Sequence, residues 1–157
     1  MAEGQPWGAT VDGVAALLPD APLLESAPVN PQPGQKIVTR ATVQEWVDQF
    51  CAKVALRLDG WEALRDDSRR EYVKLTACDL VHNAAGSYAQ AARFPERAGK
   101  ATDSYSGILW DRYTTGLDAL AKLVEEWTQD PDESADPTSD RPAWSFPPVT
   151  FYDGIRW

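Results

Sequence analysis

The fold is decided by residues 39–60, which read TRATVQEWVDQFCAKVALRLDG. Apolar side chains recur there every three or four residues, the spacing that places them on one face of an α-helix. Thr39 and Thr42 are both candidates for the N-cap, and Glu45 gives Thr42 the spacing of a capping box. Gly60 supplies the stop at the other end. The stretch therefore predicts an amphipathic helix that buries Val43, Val47, Phe50, Val54 and Leu58.

Two further apolar patterns follow along the chain. One predicts a helix from Ser68, where Glu71 completes a second capping box, to Phe94-Pro95. The other predicts a helix from Asp103 or Ser104 to Trp127. Their apolar positions are Tyr72, Leu75, Leu80, Val81, Ala84, Ala85, Tyr88 and Ala92, then Tyr105, Ile108, Leu109, Tyr113, Leu117, Leu120, Val124 and Trp127. From these two helices the core is expected to take Leu80, Val81, Leu109, Leu117 and Leu120.

The prolines divide the chain into three zones. Residues 1–38 hold six prolines and form an N-terminal arm, with a short helix over 10–18 capped by Thr10 and then a Pro-rich loop. Residues 39–127 hold one proline and form the helical bundle, and residues 128–157 form an acidic linker and an aromatic-rich tail. We therefore expect an all-α fold: a small bundle of three long helices plus the short N-terminal helix, with an extended N-terminal loop and an extended C-terminal tail.

Charge and cysteine content weigh against several classes of function. The chain has 157 residues and a net charge of −9, whereas binding to a nucleic-acid backbone or an anionic membrane needs clustered Lys and Arg. No apolar run approaches the roughly 18 residues that span a bilayer, and the first ten residues do not resemble a secretory signal. Two cysteines are too few for a disulfide scaffold. We expect a reducing compartment, or a particle assembled in one.

No catalytic pattern stands out in the sequence. It has no Gly-rich phosphate loop, no G-x-S-x-G and no H-E-x-x-H. Cys78 and His82 are four residues apart on one predicted helix face, and Cys51 is the third candidate ligand, but a structural zinc site takes four ligands. We therefore expect packing for Cys78 and a polar contact for His82, with no metal, no cofactor and no enzymatic activity.

The C-terminal tail is the most informative segment. Residues 143–157 read AWSFPPVTFYDGIRW and follow an acidic linker that has few core-forming residues. Their prolines favour an extended backbone, which loses less entropy on docking and holds its anchors apart. Two interpretations stay open: the tail docks on a partner, or it folds back on its own bundle. The candidate partner-binding residues are Trp144, Phe146, Val149, Phe151, Tyr152, Ile155 and Trp157.

The order of these elements resembles the head-to-tail adaptor proteins (also called head-completion or connector proteins) of long-tailed bacteriophages. The resemblance rests on TVDGVAALLP in the short helix, VTRATVQEWVDQFCAKVALRL in the first long helix, SYAQAARFPE at the end of the second and DSYSGILWDRYTTGLDALAKLVEEW in the third. It spans residues 9–127 and includes no catalytic motif. The tail matches the family by position and composition, without an alignable motif.

The resemblance implies a structural virion protein at the head–tail junction, assembled in the host cytoplasm. Its partners would be the portal protein, neighbouring copies in a ring of twelve, and the next neck or tail-completion protein. DNA would pass through the channel as non-specific cargo, and no membrane is involved. The alternative is a monomeric or dimeric helical binding module, such as an assembly chaperone or an anti-host factor, that captures one partner with its aromatic tail.

Overall fold

The computed structural model describes residues 6–18, 23–29, 37–95 and 104–129. Its helices are α1 (Val11–Ala16), α2 (Arg40–Arg57), α3 (Asp67–Arg93) and α4 (Tyr105–Gln129), with a short 3-10 turn at Trp61–Ala63. Within the described ranges the only extended pairing is an isolated parallel bridge between Leu24 and Thr39. The all-α fold, with three long helices and one short N-terminal helix, is confirmed.

The helices begin at caps that differ in part from the predicted ones. Thr39, not Thr42, caps α2, since its hydroxyl accepts a hydrogen bond from the Thr42 amide at 3.2 Å. Asp66, not Ser68, caps α3, where its carboxylate accepts from the Ser68 amide at 2.8 Å. In each case the cap that forms lies N-terminal to the predicted box, so the helix gains an extra turn or part of one.

The core lies where α3 crosses the other helices, since α3 packs against α1, α2 and α4. The small side chains of α3 make this close approach possible, with Ala77, Ala84, Ala85 and Ala89 fully buried. Nine of the side chains expected in the core are buried: Val43, Val47, Phe50, Val54, Leu58, Leu80, Val81, Leu109 and Leu120. Leu117 is half-buried and packs against the same cluster.

Several apolar positions of the predicted helix stripes lie at the surface. Tyr72, Leu75 and Tyr88 of α3, and Tyr105 and Ile108 of α4, are exposed. The reason is helical register: the buried line of α3 begins at Val73 and Ala77, and residues one or two positions away point to a different side of the helix. The exposed apolar residues therefore form surfaces that the bundle itself does not cover.

The described part of the N-terminal arm shares the core of the bundle. Trp7 is only 4% exposed, its indole N–H donates to the Cys51 carbonyl at 3.2 Å, and its ring centroid lies 4.9 Å from that of Trp61. Val14 and Leu18 of the arm are buried in the same cluster. The two turns of α1 are too short to be stable alone, so this packing holds them.

Candidate interaction surfaces

The tail residues proposed to bind a partner lie outside the described part of the chain. These residues are Trp144, Phe146, Val149, Phe151, Tyr152, Ile155 and Trp157. The described residues offer three other features with functional potential: the pair Cys78 and His82, and two exposed apolar surfaces on the bundle.

The His82 imidazole holds the start of α1. Its Nε2 accepts a hydrogen bond from the Thr10 amide at 3.0 Å, so Nε2 is unprotonated in this contact. The Thr10 hydroxyl in turn accepts from the Gly13 amide at 3.1 Å and caps α1. A Cβ placed on Gly13 would overlap the His82 ring. The histidine therefore forms the expected polar contact, and it joins the arm to α3.

The surroundings of the two thiols disfavour the thiolate form, which is the nucleophilic one. Burial raises the pKa of the Cys51 thiol to about 11, with smaller contributions from Asp48 and Cys78. Burial also raises the pKa of the Cys78 thiol, so both are protonated at neutral pH. Cys78 Sγ lies 4.0 Å from both ring nitrogens of His82, and it is half-buried rather than buried. Among the described residues, no three His, Cys, Asp or Glu side chains are grouped to hold a metal ion.

The first apolar surface is an aromatic cluster made by α2, α3 and α4. Phe50 is its fully buried centre, with ring centroids 5.0 Å from Tyr88 and 5.4 Å from Tyr113, both edge-on. Tyr88 and Trp110 stack at 5.7 Å and are partly open to solvent. Edge-to-face and stacked pairs stabilise such clusters by about 0.5–1.5 kcal/mol each beyond their burial. The cluster thus presents an aromatic rim on the outside of the bundle.

The second apolar surface, called the α3 surface below, consists of Tyr72 and Leu75 on α3 and Trp127 on α4. Tyr72 is 50% exposed and Leu75 is 64% exposed. The Tyr72 and Trp127 rings meet edge-on, with centroids 6.0 Å apart. The Arg69 guanidinium lies 5.1 Å from the centre of the Trp127 ring. Antiparallel packing thus brings the start of α3 beside the last turns of α4.

Two open depressions flank the first turns of α3. One is lined by Tyr72 and Leu75 together with Asp67, Ser68 and Glu71. The other is lined by Trp61, Glu62, Asp67, Arg70, Glu71 and Lys74. Arg70 pairs with Asp67, and the Lys74 ammonium lies 5.8 Å from the Trp61 ring. The α3 surface is therefore an apolar patch with a charged rim, the composition of many binding surfaces.

The sequence patterns placed Tyr72, Leu75, Tyr88, Tyr113 and Trp127 on the predicted helix stripes, but they missed three tryptophans at or near these features. Trp46, Trp61 and Trp110 lie off the predicted apolar stripes, and Trp7 precedes the first predicted helix. The available signal was the tryptophan content itself, seven in 157 residues, since tryptophan is enriched at interfaces. A periodicity search does not use that signal.

No helix in the described part of the chain is both long enough and apolar enough to cross a membrane. Comparisons with protein-family models, with curated proteins and with solved structures find no match for this chain.

Proposed function

We propose that this chain is a head-to-tail adaptor of a long-tailed bacteriophage. In this role its subunits form a ring beneath the portal, extend the DNA channel and link the capsid to the next neck or tail-completion protein. The role is structural and involves no catalytic turnover. The tail, residues 143–157, anchors each subunit on the portal or on a neighbouring copy. The proposal starts from the resemblance in element order over residues 9–127, and the properties of the bundle add support.

The observation that carries the proposal is the number of large apolar side chains left at the surface of a small bundle. Tyr105, Ile108 and Trp110 are exposed along the first turns of α4, and Tyr72 and Leu75 are exposed on α3. Such patches on a monomer usually mark contacts with other proteins. A ring subunit has a neighbour on each side, and two separate apolar surfaces offer one contact for each neighbour.

The contacts of the arm also suit a subunit of fixed shape. Trp7 and α1 are fixed to the bundle by the bonds from Trp7 to Cys51 and from Thr10 to His82. The Tyr105 hydroxyl donates to the Leu17 carbonyl at 3.0 Å, which ties the end of α1 to the start of α4. These hydrogen bonds hold the arm and α1 on the bundle, so that they form one unit.

Charge is consistent with DNA as passing cargo. The net charge of −9 repels phosphates, so a channel lined by such subunits does not hold the DNA that slides through it. A protein that gripped DNA would instead show clustered Lys and Arg.

The experiment is co-purification with the portal ring of the same phage. It compares the full chain, a chain ending at Asp140, and the full chain carrying Leu56→Glu. Leu56 is 83% exposed on α2 and lines neither depression. Its substitution lowers the net charge by one, as removal of Arg141, Asp153 and Arg156 does, but keeps the tail. We expect the full chain and the control to bind and the shortened chain to lose binding.

Each outcome separates the candidates. Binding by the shortened chain keeps the adaptor but assigns the portal contact to the bundle. Binding by none of the three rejects the adaptor and favours the alternative, a monomeric or dimeric binding module that uses the same tail on another partner. Stable rings seen by electron microscopy in the bound fraction would support assembly around the portal.

A further inference from the structure

The α3 surface is an apolar patch that the bundle leaves uncovered. Leu75 is 64% exposed and Tyr72 50% exposed, while Trp127, which packs beside Tyr72, is half-buried. Leaving this area in water costs about 25 cal/mol for each Å² of apolar surface, so a segment that covers it gains free energy.

The position of α4 indicates which segment is available. Trp127 belongs to the α3 surface, and α4 ends two residues later at Gln129. The chain then continues for 28 residues, of which the last fifteen carry the aromatic side chains. Fourteen residues separate Gln129 from Trp144. Fully extended, these residues span about 46–50 Å. This is far more than is needed to reach the α3 surface, since Tyr72 lies beside Trp127 near the end of α4.

Charge favours the same return path. The linker over 130–140 has five acidic residues and no basic one. It leaves α4 beside Glu125 and Glu126, at a helix C-terminus without a basic residue in its last turn, so it is repelled there. Residues 65–74, around the start of α3, hold four basic and three acidic side chains, a net charge of +1 in a chain that is otherwise strongly acidic. Two of the basic side chains already pair within this segment, Arg69 with Asp66 and Arg70 with Asp67. The first turns of α3, at a helix N-terminus, therefore repel the acidic linker less than the end of α4 does.

We propose that, in the free subunit, residues 143–157 pack on the α3 surface of their own chain. Apolar anchors of the tail cover Tyr72 and Leu75, and the acidic linker runs past Arg65, Arg69 and Arg70. The same chain is the occupant rather than a second copy, because a short tether gives the tail an effective concentration of the order of millimolar at this surface. The inference concerns the chain before any assembly and does not depend on the portal.

This docking has a consequence for assembly. A tail that covers the α3 surface cannot engage a partner at the same time. The tail and the α3 surface therefore stay covered until a partner competes for one of them. The free subunit then associates less readily through the α3 surface, while the aromatic cluster around Tyr88 and Trp110 stays open.

Hydrogen exchange on the full chain, read by mass spectrometry without any portal present, tests the proposal. The variant is Leu75→Glu and the matched control is Leu56→Glu, since both residues are exposed leucines on helices. We expect the amides over 149–157 to exchange about tenfold or more slower in the parent and in the control than in Leu75→Glu. Far-UV circular dichroism checks that both variants keep the bundle, and Phe151→Ser in the tail provides a second variant that leaves the bundle untouched.

The outcomes are distinct. Fast exchange over 149–157 in the parent overturns the proposal, and so does protection that Leu75→Glu leaves unchanged. Protection that rises over about a fiftyfold increase in protein concentration assigns the surface to a second copy instead, which also overturns it. Protection that is independent of concentration and is lost in both Leu75→Glu and Phe151→Ser supports it. None of these results bears on portal binding, so failure here leaves the adaptor proposal standing.

Discussion

At the scale of single residues, the structure gives His82 a defined role. It is the only histidine in the chain. Its Nε2 accepts a hydrogen bond from the amide of Thr10, the residue that caps α1. Gly13 lies against the same ring, and an added Cβ there would force the ring or the helix to move. One hydrogen bond and one close approach thus set how the arm sits on α3.

A pair of glycine substitutions tests this close approach. Gly13→Ala is expected to destabilise the fold by about 1–3 kcal/mol, because its methyl group overlaps the His82 ring and something must move. Gly86→Ala is the matched control: its Cβ would meet Leu109 and Leu17 at 3.4–3.5 Å, an ordinary contact, and alanine favours a helix by about 0.5–1 kcal/mol. Urea unfolding measures both. Equal stability of the two variants would contradict the assigned packing.

The His82 contact also predicts a pH dependence. Burial lowers the pKa of His82, and Asp79 opposes this shift without cancelling it. The unfolded chain therefore takes up the proton first as pH falls, so stability is full above the ordinary histidine pKa of about 6.5 and declines below it. Thermal unfolding between pH 7.5 and 5.5, values of about a unit on either side of that pKa, measures the effect.

The control for the pH experiment is His82→Gln. Its side-chain oxygen can accept the Thr10 amide but does not titrate, so the melting temperature should change less with pH than in the parent chain. A variant with the same pH dependence as the parent would assign the effect to carboxylates instead of His82.

At the scale of secondary-structure elements, the ends of the helices are set mainly by neighbouring residues, whereas the buried face of a helix is set by tertiary packing. The stops at Gly60 and Pro95 are encoded by neighbouring residues, since Gly60 has a φ of 85°, where glycine is favoured, and α3 ends two residues before Pro95. The cap of α3 is Asp66, two residues before the predicted Ser68, and spacing rules alone do not resolve which of two nearby capping residues starts a helix.

The cap of α3 is testable. Asp66→Ala should lower stability by about 0.5–2 kcal/mol, because it removes the acceptor of the Ser68 amide. Ser68→Ala should change it by less than about 0.5 kcal/mol, since Ser68 is an exposed residue inside the helix. Chemical unfolding of both variants measures the difference. A larger loss of stability in Ser68→Ala than in Asp66→Ala would instead support the capping box predicted from the sequence.

At the scale of the whole molecule, the arm and the bundle form one core. Trp7 contacts Trp61 and Cys51, and Val14 and Leu18 join the cluster built on α2 and α3. A unit with shared buried surface unfolds in a single step.

We therefore expect one cooperative thermal transition, with the same midpoint by far-UV circular dichroism and by tryptophan fluorescence. Trp7→Ala should lower the free energy of unfolding by about 3–5 kcal/mol and so lower that midpoint, while keeping a single transition. Leu56→Glu, at an exposed site, should leave the midpoint nearly unchanged. An early transition that affects only the arm would show that α1 is an independent unit.

The sequence by itself determined the number and type of the helices and most of the α2 core. Apolar periodicity and the residues that start and stop a helix can be read from neighbouring positions. The face of α2 from Val43 to Leu58 is buried as predicted. The tertiary structure decided which apolar residues of α3 and α4 stay exposed, and it joined Trp7 and His82 to distant segments. The spacing of apolar residues predicts which face of a helix is apolar, but it does not predict which element packs on that face. A contact between residues 72 positions apart, such as Thr10 with His82, depends on how whole helices pack.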